Sequence, residues 1–310
     1  MDEKENTLES LPLRGLGLIN GKLLGDGNLT ITENRKPRFR FQHRYADKDW
    51  SIYCYEELNI FIPLSPPKYK LDRDTRVKSG YSESIYVQSI TSPVFDYLKS
   101  QWYSGRTKVV PFDLLKRTLT VESLAWWYQD DGHLTIKNNV LKKLILSTDN
   151  FTTEENLGLI KLIKEKFYLS FSLDGQNRLC LYDKPQIMYF LHLVEDYIQP
   201  SMIRKLFKFK PETSSIVPLT KRTTIYLPFI LQKPTAEIRE LLTELEWNKF
   251  IEDWFHYFKS LDKQTFPFNF SYQVTLNESE LLKINQIQIR TGLGMSDILY
   301  YLYKRKDGLP

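Results

Sequence analysis

The chain has 310 residues, 42% of them hydrophobic and 26% charged, with a formal net charge of +5. This balance suits a folded protein of two or three compact units and excludes an intrinsically disordered chain; no apolar run approaches the roughly 18 residues that span a bilayer. Two cysteines, Cys54 and Cys180, are too few for a disulfide framework, and the first residues show neither the basic start nor the apolar stretch of a secretion signal. An intracellular protein without a membrane partner is expected, in a bacterial cytoplasm or an organelle matrix.

Taken in chain order, a helix-compatible apolar segment from Leu16 runs into Leu24-Gly25-Asp26-Gly27-Asn28-Leu29-Thr30-Ile31. Gly17, Gly21 and Gly25 recur every four residues, which places them on one helix face and lets another backbone come close. Next, Arg38-Phe39-Arg40-Phe41-Gln42-His43-Arg44 alternates with the period of a strand. Phe39, Phe41 and His43 form its inner face; Arg38, Arg40, Gln42 and Arg44 form an outer face able to read base edges. Arg35, Lys36, Arg38, Arg40 and Arg44 make one acid-free basic cluster, and Arg204, Lys205, Lys208, Lys210, Lys221 and Arg222 make a second, interrupted by Glu212 alone. Two such clusters suggest two arms gripping one polyanion.

A second apolar segment, Leu124 to Tyr128, runs into Gln129-Asp130-Asp131-Gly132-His133-Leu134-Thr135-Ile136, a near-copy of the first at a distance that suits two fused half-domains. After it, Lys143–Thr148 reads as a strand, Thr152-Thr153-Glu154-Glu155 as a capping box opening a helix to about Phe167, Arg178–Tyr182 as a strand and Ile187–Tyr197 as a helix. The order implies an α+β half with its helices on one side of the sheet.

Ile19-Asn20-Gly21-Lys22-Leu23-Leu24-Gly25-Asp26-Gly27 and Leu124-Ala125-Trp126-Trp127-Tyr128-Gln129-Asp130-Asp131-Gly132 resemble the paired motifs of LAGLIDADG homing endonucleases, in the single-chain branch of the yeast mitochondrial omega-intron endonuclease. Lys108-Val109-Val110-Pro111 is similar to that branch's Lys-x-x-Pro segment, and Lys205 occupies the counterpart position in the second half. The resemblance covers roughly residues 12 to 212. It implies two pseudo-symmetric αββαββα half-domains, 1–115 and 116–212, forming a DNA-binding saddle with the motif helices packed at its centre. Trp126 and Asp130 are not small, so that packing must be asymmetric.

The resemblance implies a metal-dependent double-strand cut at one long DNA target, across a minor groove and leaving 3′ overhangs. Asp26 and Asp131 would be catalytic and, with Gly25 and Asp130, would hold the metal, Mg²⁺ or Mn²⁺ in its place. Two carboxylates at helix C-termini face the negative dipole end and repel one another, which a hard cation relieves. Lys108 and Lys205 would complete the catalytic set. Arg38, Arg40, Gln42, Arg44, Lys143, Arg178 and Arg204 would contact DNA. Two alternatives stay open: an RNA maturase that binds its own intron, and a catalytically silent DNA-binding regulator. The four histidines have no metal-ligand spacing and read as core-edge or surface residues.

Beyond the nuclease, 213–235 reads as a Ser, Thr and Pro-rich linker and 236–261 as an amphipathic helix. Ser271–Leu276 alternates as a strand, Asn277 and Glu280 form a capping box, and a helix to Thr291-Gly292 precedes another from Ser296-Asp297. This strand-helix-helix order resembles a ribbon-helix-helix module, which would turn Ser271, Gln273 and Thr275 toward bases. Residues 236–310 are therefore expected to be a mostly helical auxiliary DNA-binding region. Ribbon strands of that kind pair between two chains, so the nuclease core is expected to be monomeric and the tail to be a candidate for dimerisation.

Overall fold

The computed structural model describes residues 11–30, 32–76, 78–138, 140–207, 219–227, 235–258 and 270–306. Lys208, Lys210 and Glu212 of the second basic cluster lie outside the described residues, as do 213–218 and 228–234 of the expected linker and 259–261 of the expected helix.

The first half runs α1 (Leu13–Leu24), β1 (Asn28–Leu29), β2 (Phe39–Arg44), α2 (Lys48–Asn59), β3 (Lys68–Arg73), β4 (Tyr81–Gln88) and α3 (Pro93–Trp102). A short hairpin of β5 (Tyr103–Ser104) and β6 (Thr107–Lys108) and the helix α4 (Phe112–Thr118) lead to the second half. That half repeats the order as α5 (Val121–Asp131), β7 (Gly132–Lys137), β8 (Val140–Leu146), α6 (Thr153–Phe167), β9 (Ser172–Leu173), β10 (Leu179–Leu181) and α7 (Lys184–Val194). The two four-stranded sheets have orders β1-β2-β4-β3 and β7-β8-β10-β9, the same topology read twice, and their pairings are antiparallel where a register is defined. The expected αββαββα pair is thus what the chain forms.

Local chemistry explains the ends of these elements. Thr120 caps α5: its hydroxyl accepts from the Ser123 amide while Ser123 Oγ accepts from the Thr120 amide, both at 3.2 Å. Thr152 and Glu155 do the same for α6 at 3.2 and 2.9 Å. Strand β2 alternates buried and exposed along its whole length, with Phe39, Phe41 and His43 inside. The expected helix to Tyr197 stops at Val194 and tightens into a 3₁₀ turn, Glu195–Tyr197.

The chain forms two compact units. One compact unit takes residues through Thr135 with Lys142–Leu181 and Leu193–Phe207; the other takes Ile136–Leu141, Tyr182–His192 and residues from 208 on. In the first unit α1 and α5 pack along the glycine face. A Cβ on Gly17 would lie 2.8 Å from Ser123 Oγ, one on Gly21 2.6 Å from the Ser123 carbonyl oxygen, and one on Gly25 2.7 Å from Asp130 Cβ. The approach is asymmetric, as expected: glycine on α1 faces serine and aspartate on α5.

The hole left by Gly25 holds the Asp130 side chain, which has no exposed surface. A buried carboxylate needs partners, and α1, α2 and the backbone supply them. Lys22 Nζ donates to Asp130 Oδ1 at 2.7 Å, Trp50 Nε1 donates to the same oxygen at 2.8 Å, and the Asp26 amide donates to Oδ2 at 3.2 Å. Lys22 itself is fully buried over the rings of Phe41 and Trp50, at 4.7 and 4.8 Å from their centroids. Burial of His43, and then the Lys22 charge, keep its imidazole below its usual pKa against the pull of Asp130. His43 Nε2 lies 2.9 Å from Lys22 Nζ and 3.2 Å from Asp130 Oδ1, and Nδ1 lies 2.7 Å from Ser51 Oγ.

Two stability tests follow from this seam. Gly21→Ala gains helix propensity of at most ~1 kcal/mol but drives its methyl into a backbone carbonyl, so a net loss of about 1–2 kcal/mol is expected. A rise in the midpoint of urea unfolding would show that the seam has room. Lys22→Met strands a buried carboxylate and should cost about 3–5 kcal/mol, with Lys22→Met/Asp130→Leu recovering much of the loss. Equal melting temperatures for Lys22→Met and the parent chain would remove the pair from the account of stability.

Candidate active site and nucleic-acid interface

The ends of α1 and α5 bring the two motif aspartates into one field. Asp131 closes α5 and is half-buried; Asp26 follows the end of α1, and 38% of its side-chain surface stays open. Burial, then the charges of Asp26 and Asp130, push Asp131 up to about 7. Burial and the charge of Asp130 push Asp26 up to about 6. Both carboxylates are therefore short of positive charge, the condition in which a cation binds.

The two expected lysines supply part of that charge in matching places. Lys108 Nζ donates to the carbonyl oxygen of Gly27 at 3.0 Å, and Lys205 Nζ donates to that of Gly132. Each lysine thus sits on the glycine that follows one motif aspartate. Burial pulls Lys108 down to about 8 against the pull of Asp131 and Asp26, and burial and Arg204 also lower Lys205. Lys108 is held from behind by its own segment, since the Val110 amide donates to Glu155 Oε1 at 2.8 Å. The Lys205 segment is held by α5: Tyr128 Oη donates to the Lys205 carbonyl at 2.6 Å, and the Gln199 amide donates to Gln129 Oε1 at 2.8 Å. Glu155, Tyr128 and Gln129 were not singled out by the sequence, because capping and apolar spacing already account for them there.

Asp26, His43 and Asp130 bring potential ligand atoms within 4.8 Å of one another, the three-residue group of this kind among the described residues. Its centre is taken. The Lys22 ammonium touches both Asp130 Oδ1, at 2.7 Å, and His43 Nε2, at 2.9 Å, and acts as the cation of that cluster. Asp130, expected as a metal ligand, has its carboxylate committed to Lys22, Trp50 and the Asp26 amide; burial works against its charge, but the Lys22 charge and His43 hold it well below the usual carboxylate range. Lys22, Trp50 and His43 are functional neighbours that the sequence reading missed; a lysine in the middle of an apolar helix face was the available signal.

The outer face of β2 is as expected. Arg38, Arg40, Gln42 and Arg44 are exposed; Arg40 Nε donates to Asn28 Oδ1 at 2.9 Å and Gln42 Nε2 to Ser84 Oγ at 2.9 Å. Register adds residues that the sequence reading did not name. Gln42 is paired with Tyr86 and Tyr86 with Lys68, while Arg44 is paired with Ser84 and Ser84 with Lys70, so Lys68 and Lys70 share that face. On the second sheet Lys143 is half-buried, and its neighbour Lys142 is exposed. Arg178 is engaged by Asp174 Oδ2 at 2.6 and 3.0 Å, and Arg204 by Asp47 at 2.8 Å. Ser271, Gln273 and Thr275 are all exposed. Among the described residues no helix is long and apolar enough to cross a membrane.

Known proteins share the fold and part of the sequence. A solved structure described as the homing endonuclease I-WcaI bound to its DNA recognition sequence superposes with a TM-score of 0.53 at 24% identity, covering 66% of this chain and 92% of that one. A probable intron-encoded endonuclease 1 of Wickerhamomyces canadensis is 32% identical over 193 residues, 60% of this chain and 80% of the relative. Residues 16–189 match the LAGLIDADG DNA endonuclease family across both motifs. The family match spans more than half of the chain and includes both motifs: the chain belongs to the LAGLIDADG DNA endonuclease family and is a site-specific DNA endonuclease.

Proposed function

We propose that Asp26 and Asp131 hold the divalent cations of the cut, Mg²⁺ with Mn²⁺ able to substitute, and that Lys108 and Lys205 are their catalytic partners. The observation that carries this reading is the matched placement of each lysine on the carbonyl after each aspartate. The donor set fits a hard cation: carboxylate oxygens whose pKa values are raised by burial and by neighbouring negative charge gain most from neutralisation. The Asp130 carboxylate drops out of the ligand set in this reading, because it already neutralises Lys22, while Gly25 stays in it through its backbone carbonyl.

A bound divalent cation supplies Lewis acidity to the phosphodiester and lowers the pKa of a water. The chain's own groups do the rest. Asp26 and Asp131 orient the attacking water and the scissile phosphate from the two halves, one strand each; cuts staggered across a minor groove leave 3′ overhangs. Lys108 and Lys205, anchored on carbonyls and relieved of part of their hydration, place donors beside the phosphoryl oxygens as negative charge builds there. Arg38, Arg40, Gln42 and Arg44 face base edges, while Lys68, Lys70 and Lys142 contact phosphates. Lys143, Arg178 and Arg204 act from the margin, where Arg178 and Arg204 must first exchange their carboxylate partners for phosphate. DNA as the substrate places the protein inside the cell.

Asp26→Asn and Asp131→Asn should each abolish double-strand cleavage and leave specific binding within a few-fold. Cutting at the parental rate by either variant, or cutting in EDTA, would take these carboxylates out of the reaction. Arg38→Ala and Arg40→Ala should each lose ~1–3 kcal/mol of binding and relax selection at particular base pairs. Lys205→Ala should instead slow the step at saturating enzyme with selection intact. A uniform loss of affinity in all three, with an unchanged target preference, would reduce them to electrostatic contacts.

A further inference from the structure

The second compact unit contains a duplication that its sequence hides. Strand β11 (Thr220–Leu227) falls where a linker was expected, and the expected amphipathic helix is two helices, α8 (Thr235–Thr243) and α9 (Trp247–Tyr257). These precede β12 (Phe270–Asn277), α10 (Glu278–Thr291) and α11 (Met295–Lys306), so strand-helix-helix occurs twice. Asn277 and Glu280 cap α10 with reciprocal bonds of 2.9 Å, and Gly292 ends it at φ +74°, where only glycine sits without strain.

The two copies close on each other. β11 and β12 pair antiparallel over eight residues, from Thr220↔Asn277 to Leu227↔Phe270. Helix α9 packs on α10 and α8 on α11, so the first helix of each copy meets the second helix of the other. Phe250 and Tyr301 meet edge-on at 4.9 Å, and Asp253 pairs with Arg305. Ile225, Tyr272, Val274 and Leu276 point into this core. The strand expected to seek a second chain has found its partner in its own.

Pairing leaves the outer face of the ribbon in water. Arg222, Thr224 and Tyr226 on β11 and Ser271, Gln273 and Thr275 on β12 are all exposed, and the face carries no acid. Arg222 donates to Gln273 across the ribbon. The face has hydrogen-bonding groups and positive charge but one aromatic residue, too little apolar surface for the buried anchors of a protein interface. Two strands about 4.8 Å apart fit a DNA major groove some 12 Å wide, whereas the major groove of A-form RNA is too narrow for side chains to enter.

We propose that this unit is a second DNA-reading head whose β11–β12 ribbon enters a major groove as a one-chain pseudo-dimer and therefore reads a short, non-palindromic sequence. Two copies of one strand would present the same residues to both halves of a site. Here Arg222 and Thr224 come from one strand and Ser271, Gln273 and Thr275 from the other, so the two halves differ. Arg222 matches guanine O6 and N7, and Gln273 matches adenine N6 and N7 once their mutual bond opens. Tethering to the nuclease core raises the local concentration of this site at the core's target.

The test is selection of bound DNA from a random pool by the full chain in EDTA, with sedimentation run alongside. The parent chain should enrich two sequence blocks, one long and one short and asymmetric, while remaining a monomer. Arg222→Ala and Gln273→Ala, both exposed positions, should cut enrichment of the short block about five- to a hundred-fold. Arg38→Ala with Arg40→Ala should alter the long block alone. One block that ignores Arg222→Ala and Gln273→Ala would overturn the proposal, as would a palindromic short block bound by a dimer. Absence of the long block would instead count against the base-reading role given to β2, so the two failures are separable.

Discussion

The nuclease unit depends on how closely α1 and α5 approach. Interaxial distance between helices is set by the side chains at the contact, and at Gly17, Gly21 and Gly25 there are none. Ser123 enters against Gly21 and Asp130 against Gly25. Once Asp130 occupies that hole its carboxylate is out of water, and an uncompensated buried charge would cost several kcal/mol. Lys22, Trp50 and the Asp26 amide answer that cost, from α1, α2 and the very residue that carries the second carboxylate. Close packing, the buried ion pair and the placing of the aspartates are thus one linked arrangement.

That linkage makes the two halves alike in frame and different in chemistry. The sheets share one topology, and the lysines Lys108 and Lys205 sit on equivalent glycine carbonyls. The residues before the aspartates differ: glycine at 25 and aspartate at 130. The consequence falls on Asp26, whose carboxyl feels Asp130 and whose amide is bonded to it, while His43 lies 3.7 Å from its Oδ2. Asp131 feels Asp130, Lys108 and Lys205 as well, so the two differ in the bond from the Asp26 amide to Asp130 and in the nearness of His43 to Asp26. Single-chain architecture permits this, since each half is free to take its own residues.

The tail solves a related problem by the same means. An exposed strand edge is a template for unwanted pairing, and a two-stranded ribbon needs a core beneath it to be stable. By carrying both strands, the chain satisfies the ladder internally and buries Ile225, Val274 and Leu276 against α8–α11. Apolar rings of Tyr189 and His192 stack on Phe258 and Phe255 at 3.8 and 3.9 Å, so a segment between the nuclease strands and the tail belongs to this core too.

Much of this was legible in the chain itself. The doubled Asp-Gly motif, the glycine spacing, the alternation at Phe39–Arg44 and the capping boxes at Thr152 and Asn277 are local patterns, and local geometry of helix and strand is enough to read them. They determined the α+β halves, the aspartate pair and the outer face of β2, and the family resemblance they carry added the αββαββα order and the lysine pair. Tertiary structure alone decided which carboxylates were spent internally. Asp130 reads like a ligand beside Asp131, and only the hole at Gly25 and the position of Lys22 show it neutralised. It also decided that Lys68 and Lys70 join the outer face of β2, because strand register is a long-range property. The partner of β12 was hidden for the same reason: Thr220, Thr223, Thr224, Ile225 and Tyr226 favour a strand, but the prolines and serines on either side read as a linker, and pairing is a long-range property.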